Sequence, residues 1–133
     1  MIFLDTSALY ALEVEDDINH RKAKRFLLKE FRSGRYGVPV TSDYVIDETL
    51  TLLRMNHGVG AALAFYEKAI KSLKIIWVDE TVFEGAFKFF ERNGKLRWSF
   101  TDATSFAIMK LLGIKYVFSF DRNFEEAGFV RLP

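Results

Sequence analysis

An α/β fold built on a mainly parallel sheet is what this sequence predicts, and three observations carry the prediction. Five short apolar runs recur along the chain, longer stretches with helical spacing separate them, and glycines or helix-capping patterns punctuate the series. Runs so short and so uniformly apolar are expected to be strands buried on both faces.

The first run is Ile2-Phe3-Leu4, and a helical stretch carrying Phe26, Leu27 and Phe31 leads from it to the second, Gly37-Val38-Pro39-Val40. Asp43 to Asn56 reads as a helix, which Gly58 and Gly60 divide from a further helical run before Ile75-Ile76-Trp77-Val78. Thr81 and Glu84 have the spacing of a capping box and open a helix with Phe83, Phe87 and Phe90 on one stripe and Val82, Ala86 and Phe89 on another. One stripe can pack inward, while the other needs a neighbouring helix or a second copy of the chain to cover it. The next helix begins near Ser99-Phe100-Thr101-Asp102 and continues Phe106, Ala107, Ile108, Met109, Leu111 and Leu112, apolar nearly all round. Gly113 and Gly128 precede the last two runs, Tyr116 to Phe120 and Phe129 to Leu132.

The 133 residues suit one domain, expected to span 1–133, and half of them are hydrophobic, enough for a real core. Nineteen Lys and Arg against eighteen Asp and Glu leave a net charge of +1, so any argument for nucleic acid must be local. The lack of cysteine excludes a disulfide framework, a thiolate nucleophile and cysteine-ligated zinc or iron–sulfur centres. Neither a secretory signal nor an apolar run of about 18 residues is present, so the expectation is a cytoplasmic chain with no membrane partner.

Ligands of open parallel sheets gather beyond the carboxyl ends of the strands, where strand order reverses. Asp5 directly follows the first run and Asp121 the fourth, which places both at that edge, unless each merely caps the helix after it. Asp102 sits in the first turn of a buried helix, with Thr101 or Ser99 available as the cap and a dipole role as the bland reading. Glu48 and Asp47 are separated by about 100° around their helix. Asp47 aligns with the polar Asp43, Thr51 and Arg54, whereas Glu48 aligns with Val45 and Leu52 and is expected to point inward. A salt bridge is the structural alternative for Glu48. Crowded together, Asp5, Glu48, Asp102 and Asp121 would raise one another's pKa unless a divalent cation held them, and oxygen ligands select Mg²⁺ or Mn²⁺. Such a cation activates water and stabilises charge developing on phosphate, so the chemistry inferred is phosphodiester or phosphate hydrolysis.

Phe3-Leu4-Asp5-Thr6-Ser7-Ala8-Leu9, the inward Glu48, Phe100-Thr101-Asp102-Ala103 and Ser119-Phe120-Asp121-Arg122-Asn123-Phe124 fall in an order that resembles the PIN-domain ribonucleases, most of all the small toxins of VapBC toxin–antitoxin systems. The match runs from Asp5 to Phe124. The resemblance implies a three-layer sandwich with a five-stranded mainly parallel sheet flanked by helices, and a metal-dependent endoribonuclease. It also implies that Asp5, Glu48, Asp102 and Asp121 hold Mg²⁺ or Mn²⁺, and that the Thr6 hydroxyl contacts the metal or the scissile phosphate. Thr101 accompanies Asp102 in its motif as a supporting residue. Asn123 stands where some relatives place a further acid, which leaves one-metal and two-metal catalysis both open. A homodimer and an inhibitory antitoxin protein are likewise implied by the resemblance.

An RNA substrate needs local positive charge, for which Arg54, Arg97 and Arg122 are the candidates. The Arg21 to Arg25 run reads as a solvated helix face, and His20 and His57 belong to no ligand pattern. The alternative function is a non-catalytic PIN-like module that binds RNA or protein. A receiver domain fits poorly because Thr6 and Ser7 follow Asp5, and a haloacid-type phosphatase because Ser7 stands where its second acid belongs.

Overall fold

Strand order reverses beside the first strand, and that reversal positions everything else. The computed structural model describes residues 1–92 and 94–133. Its five strands, β1 (Ile2–Leu4), β2 (Pro39–Ser42), β3 (Lys74–Ile76), β4 (Tyr116–Phe118) and β5 (Val130–Leu132), form one sheet in the order β3-β2-β1-β4-β5. All four pairings are parallel, with Phe3 opposite both Val40 and Val117. The chain steps outward from β1 to β3 and then returns to lay β4 against the other side of β1, so the switch point falls between β1 and β4.

The connections are α1 (Thr6–Glu13), α2 (His20–Phe26) with a π-helical turn over Leu27–Phe31, α3 (Asp43–His57), α4 (Val59–Ser72), α5 (Glu80–Glu91), α6 (Phe100–Leu112) and the short α7 (Asn123–Glu126). Right-handed crossovers put the helices of the outward and returning halves on opposite faces. The burial of β1 reflects this, since consecutive strand residues face opposite ways and Ile2, Phe3 and Leu4 are all buried. The outer strands depart from the expected burial on both faces. β3 and β5 have exposed first residues and only partly covered ones after them, because an edge strand lacks a neighbour on one side. Among the described residues no helix is long and apolar enough to cross a membrane.

Local chemistry explains the helix ends. Ser99 caps α6 by accepting from the Asp102 backbone N–H at 3.0 Å, while the Asp102 carboxylate accepts from the Ser99 N–H at 3.1 Å, a reciprocal capping box. Gly113 closes α6 in the left-handed region at φ 67°, a conformation disfavoured for residues with a Cβ. The cap of α5 lies two residues before the expected Thr81. Asp79 accepts from the Val82 N–H at 2.9 Å, and so starts the helix earlier.

Phe106 is the hub of the core on the α6 side. Fully buried, it has Trp98 and Phe124 rings at 5.1 Å and Phe89 and Phe129 rings at 5.7 and 5.8 Å. The stripe Val82, Ala86 and Phe89 is buried, and α5 packs on α6. The other stripe is only partly covered within the chain. Phe83, Phe87 and Phe90 stay about half exposed, although Phe83 and Phe90 touch the Phe100 ring at 5.0 and 5.6 Å. Replacing Phe106 with Ala is expected to cost about 3–5 kcal/mol, read as a lowered urea midpoint with unchanged slope. A loss under about 1 kcal/mol would show that this cluster is not the packing centre.

Candidate active site

Asp5 is delivered to the switch point by β1, whose ladder continues one step further as the Asp5 N–H donates to the Phe118 carbonyl at 3.1 Å. Its side chain is only 4% exposed. Two serines bind it: Ser7 Oγ and Ser119 Oγ each donate to Asp5 Oδ2 at 3.0 Å. They also lie 3.1 Å from each other and accept the N–H groups of Phe120 and Asp121, at 2.9 and 3.0 Å. The ends of β1 and β4 are thereby locked together through hydroxyls. Burial, with the nearby Asp102 charge adding to it, pushes the Asp5 carboxyl up to about 7 against the lowering effect of the serines.

Asp102 enters from the first turn of α6. Its carboxyl is also pushed up, first by burial and more weakly by the Asp121 and Glu48 charges, while hydrogen bonds from the Asn123 side chain and the Ser99 backbone oppose the shift. Asp121 turns back on its own loop, where Oδ1 accepts from the Asn123 N–H at 2.9 Å. The Asn123 amide donates to Asp102 Oδ2 at 2.9 Å, to Asp121 Oδ2 at 3.4 Å and to the Arg97 carbonyl at 3.2 Å. An amide therefore does at this position what a further acid could not, and joins two carboxylates as a donor.

Asp5, Glu48, Asp102 and Asp121 line one cleft of about 300 Å³ together with Thr6, Ser7, Tyr10, Asp17, Asn19 and Leu52. The inward orientation expected of Glu48 needs correction. The core face of α3 is Val45, Ile46, Thr49 and Leu53, whereas Glu48 and Leu52 lie at the margin of that arc, and Leu52 is 39% exposed. Glu48 thus faces the cleft, where a carboxylate can stay hydrated. The three ion pairs joining described residues, Arg35–Glu30, Lys68–Glu13 and Arg131–Glu125, use acids outside the cleft.

Two observations bear on a cation. Thr6 Oγ1 is buried and has no hydrogen-bond partner among the described residues, although it lines the cleft beside Asp5. Oxygen donors predominate around it, a set that suits Mg²⁺ or Mn²⁺. Among the described residues, no three acidic or histidine side chains stand close enough as they are to encage an ion, so the acids line the cleft without closing a cage.

The other expected residues are placed less centrally. Thr101 uses its backbone, accepting from the Thr104 and Ser105 hydroxyls at 2.7 and 3.1 Å, and Ser99 takes the cap. Arg54, Arg97 and Arg122 are exposed, and none lines the cleft. Arg97 reaches its rim through its carbonyl and Arg122 through its chain neighbour Asp121, while Arg54 sits in the last turn of α3. Ser7, Ser119, Tyr10 and Leu52 were not singled out by the sequence reading. The available signal was helical spacing, since Tyr10 follows Thr6 and Leu52 follows Glu48 by four residues.

With this geometry in hand, comparison with known proteins decides the family. The model of the PIN domain matches residues 2–130. The chain belongs to the PIN-domain family. Two curated relatives, each named 23S rRNA-specific endonuclease VapC20, come from Mycobacterium tuberculosis strains CDC 1551 / Oshkosh and ATCC 25618 / H37Rv. Each is 37% identical over 135 residues, covering 99% of this chain and 98% of the relative. The crystal structure of Mycobacterium tuberculosis VapC20, described as a sarcin–ricin loop cleaving toxin, superposes with a TM-score of 0.86 at 36% identity, covering 98% of this chain and 97% of that one. The expected five-stranded parallel sheet flanked by helices is thus the PIN-domain architecture.

The raised Asp5 pKa fixes a sign. A carboxyl with a folded value near 7 and an unfolded value of 3.8 binds more protons when folded, so stability falls as pH rises between those values. In the presence of a chelator, the wild-type PIN domain should lose stability from pH 4 to pH 7, by up to about 4 kcal/mol. Asp5→Asn should flatten that dependence and melt higher at pH 7. Parallel melting profiles for the two proteins would refute the assignment.

Proposed function

We propose that this PIN-domain chain is an endoribonuclease toxin that hydrolyses RNA phosphodiester bonds with Mg²⁺ or Mn²⁺. The observation that carries the proposal is the convergence of Asp5, Glu48, Asp102 and Asp121 on one cleft from four separate elements, with an unpartnered Thr6 hydroxyl beside them. Side chains spread over most of the chain, two of them with carboxyls pushed up by burial and, more weakly, by neighbouring like charge, are gathered for chemistry more readily than for stability.

The roles follow from the contacts. Asp5 is the fixed acid, oriented by Ser7 and Ser119. Asp102 and Asp121 are aligned by Asn123, and Glu48 supplies the fourth carboxylate from the α3 wall. These four would hold the cation, with the Thr6 hydroxyl free to accept from a cation-bound water or to donate to a phosphate oxygen. What the cation supplies when bound is positive charge for the phosphate and activation of a water. A protonated Asp5 is a poor ligand, so metal affinity should rise with pH as Asp5 loses its proton around 7. Manganese titrations followed by calorimetry at pH 6 and pH 8 check this, and equal affinities would contradict it.

The substrate reading is a structured RNA loop of the sarcin–ricin type, supported by the likeness to VapC20. A cytoplasmic location, an antitoxin partner and a homodimer belong to the same reading, the last supported by the half-exposed Phe83, Phe87 and Phe90 of α5. A hairpin RNA carrying the sarcin–ricin loop should be cut by the wild type with Mg²⁺ or Mn²⁺. Asp5→Asn or Asp102→Asn should slow cutting by about 100-fold or more while leaving circular dichroism unchanged. Equal cleavage by all three proteins would overturn the assigned site. Salt-sensitive binding of the hairpin without any cleavage would favour the non-catalytic module, a reading to which the Asn123 amide lends some support.

A further inference from the structure

The walls of the cleft change character over one helical turn. On α1, Thr6 lies at the acidic end and Tyr10 follows four residues later on the same face. On α3, Glu48 and Leu52 repeat that spacing, and all four side chains line the cleft. α1 and α3 pack against one another, so the two changes occur side by side. Four residues advance the helix by about 6 Å, comparable to the step from a phosphate to the base beside it. The acidic end suits a cation and a phosphate, and one turn further along each helix the cleft offers an aromatic ring and an aliphatic side chain, with Asp17 and Asn19 also lining it.

Tyr10 is also held in place. Its hydroxyl accepts from Asn56 Nδ2 at 3.1 Å and lies 3.2 Å from His57 Nε2, both at the carboxyl end of α3. The His57 ring is tilted 52° to it at 6.1 Å. A ring fixed by two polar neighbours loses little freedom when something stacks on it. Binding at this cleft needs such a source, because the acids repel phosphate and Arg54, Arg97 and Arg122 do not line it. Recognition of unpaired RNA commonly rests on stacking between a base and an aromatic side chain, which every base can make through its π-face.

We propose that Tyr10 and Leu52 form a nucleobase slot next to the acidic end of the cleft, which holds an unpaired base flanking the scissile phosphate of an RNA loop. The inference rests on the endoribonuclease reading and adds to it a position that selects the substrate. Tyr10 supplies the stacking plane, Leu52 an apolar wall, and Asn56 with His57 orient the ring. A duplex, whose bases are already stacked, cannot fill the slot without unpairing, so the slot favours loops over stems.

The test uses the sarcin–ricin hairpin with 2-aminopurine placed singly at each loop position, whose fluorescence falls on stacking. Wild-type protein is expected to quench one position adjacent to the cut. Tyr10→Ala should abolish that quench and raise KM about 10- to 100-fold, with a smaller effect on kcat, whereas Tyr10→Phe, which keeps the ring, should recover most of both. If Tyr10→Ala does not fold, Leu52→Ser carries the test and should shift KM in the same direction by severalfold. Unchanged KM and quench in Tyr10→Ala, from a wild type that cuts, would overturn the slot alone. Position-specific quenching that needs Tyr10, without cutting, would overturn the nuclease reading and retain the slot. Absence of both quenching and cutting would overturn the two together.

Discussion

Negative charge is concentrated where it is least comfortable, at the buried seam between β1 and β4, and much of the chain serves to hold it there. Asp5 is almost wholly removed from water and has Asp102 for a neighbour, an arrangement that burial and repulsion both oppose. Against it stand two kinds of restraint. The sheet order brings β1 and β4 side by side through their parallel ladder, and the hydroxyls of Ser7 and Ser119 tie the first residues beyond each strand to the same carboxylate oxygen. Neither serine carries charge, so each offers Asp5 a donor without neutralising its carboxylate.

The opposition between packing and charge is divided among the helices. α6 buries Ala103 through Met109 and so fixes Asp102 in its half-buried opening turn, where Ser99 and Asn123 supply donors to the carboxylate. α3 buries one arc and presents its margin, Glu48 and Leu52, to the cleft. In both cases the apolar side anchors the helix and the residue at its border lines the cleft. A carboxylate placed one position further into either core face would need to be neutralised to be tolerated.

Much of this was legible in the chain itself, because apolar runs and helical spacing are local properties. Asp5, Asp102 and Asp121 could be located since each immediately follows a strand-like run or opens a helix, and position in an α/β fold translates directly into an edge of the sheet. Glu48 was harder: periodicity separates it correctly from Asp47, yet cannot tell a core-facing stripe from one bordering a cleft, since both put apolar residues four apart. The cap at Asp79 was missed because two caps of similar chemistry lay within three residues. The role of Asn123 as a bridge between two acids, and that of Ser119 as a latch on Asp5, depend on contacts across 21 and 114 positions, which no local pattern encodes. The uncovered stripe of α5 was anticipated as a pattern, but its exposure depended on where α6 came to rest.

The spacing of the four acids along the chain bears on how such an enzyme is made. Asp5 and Asp121 stand 116 positions apart, and β4, which must slot in beside β1, comes after β2, β3 and the helices that follow them. A chain that extends only as far as β3 therefore carries no assembled centre. The acids of the cleft share one edge only once the returning strand has closed the sheet beside β1.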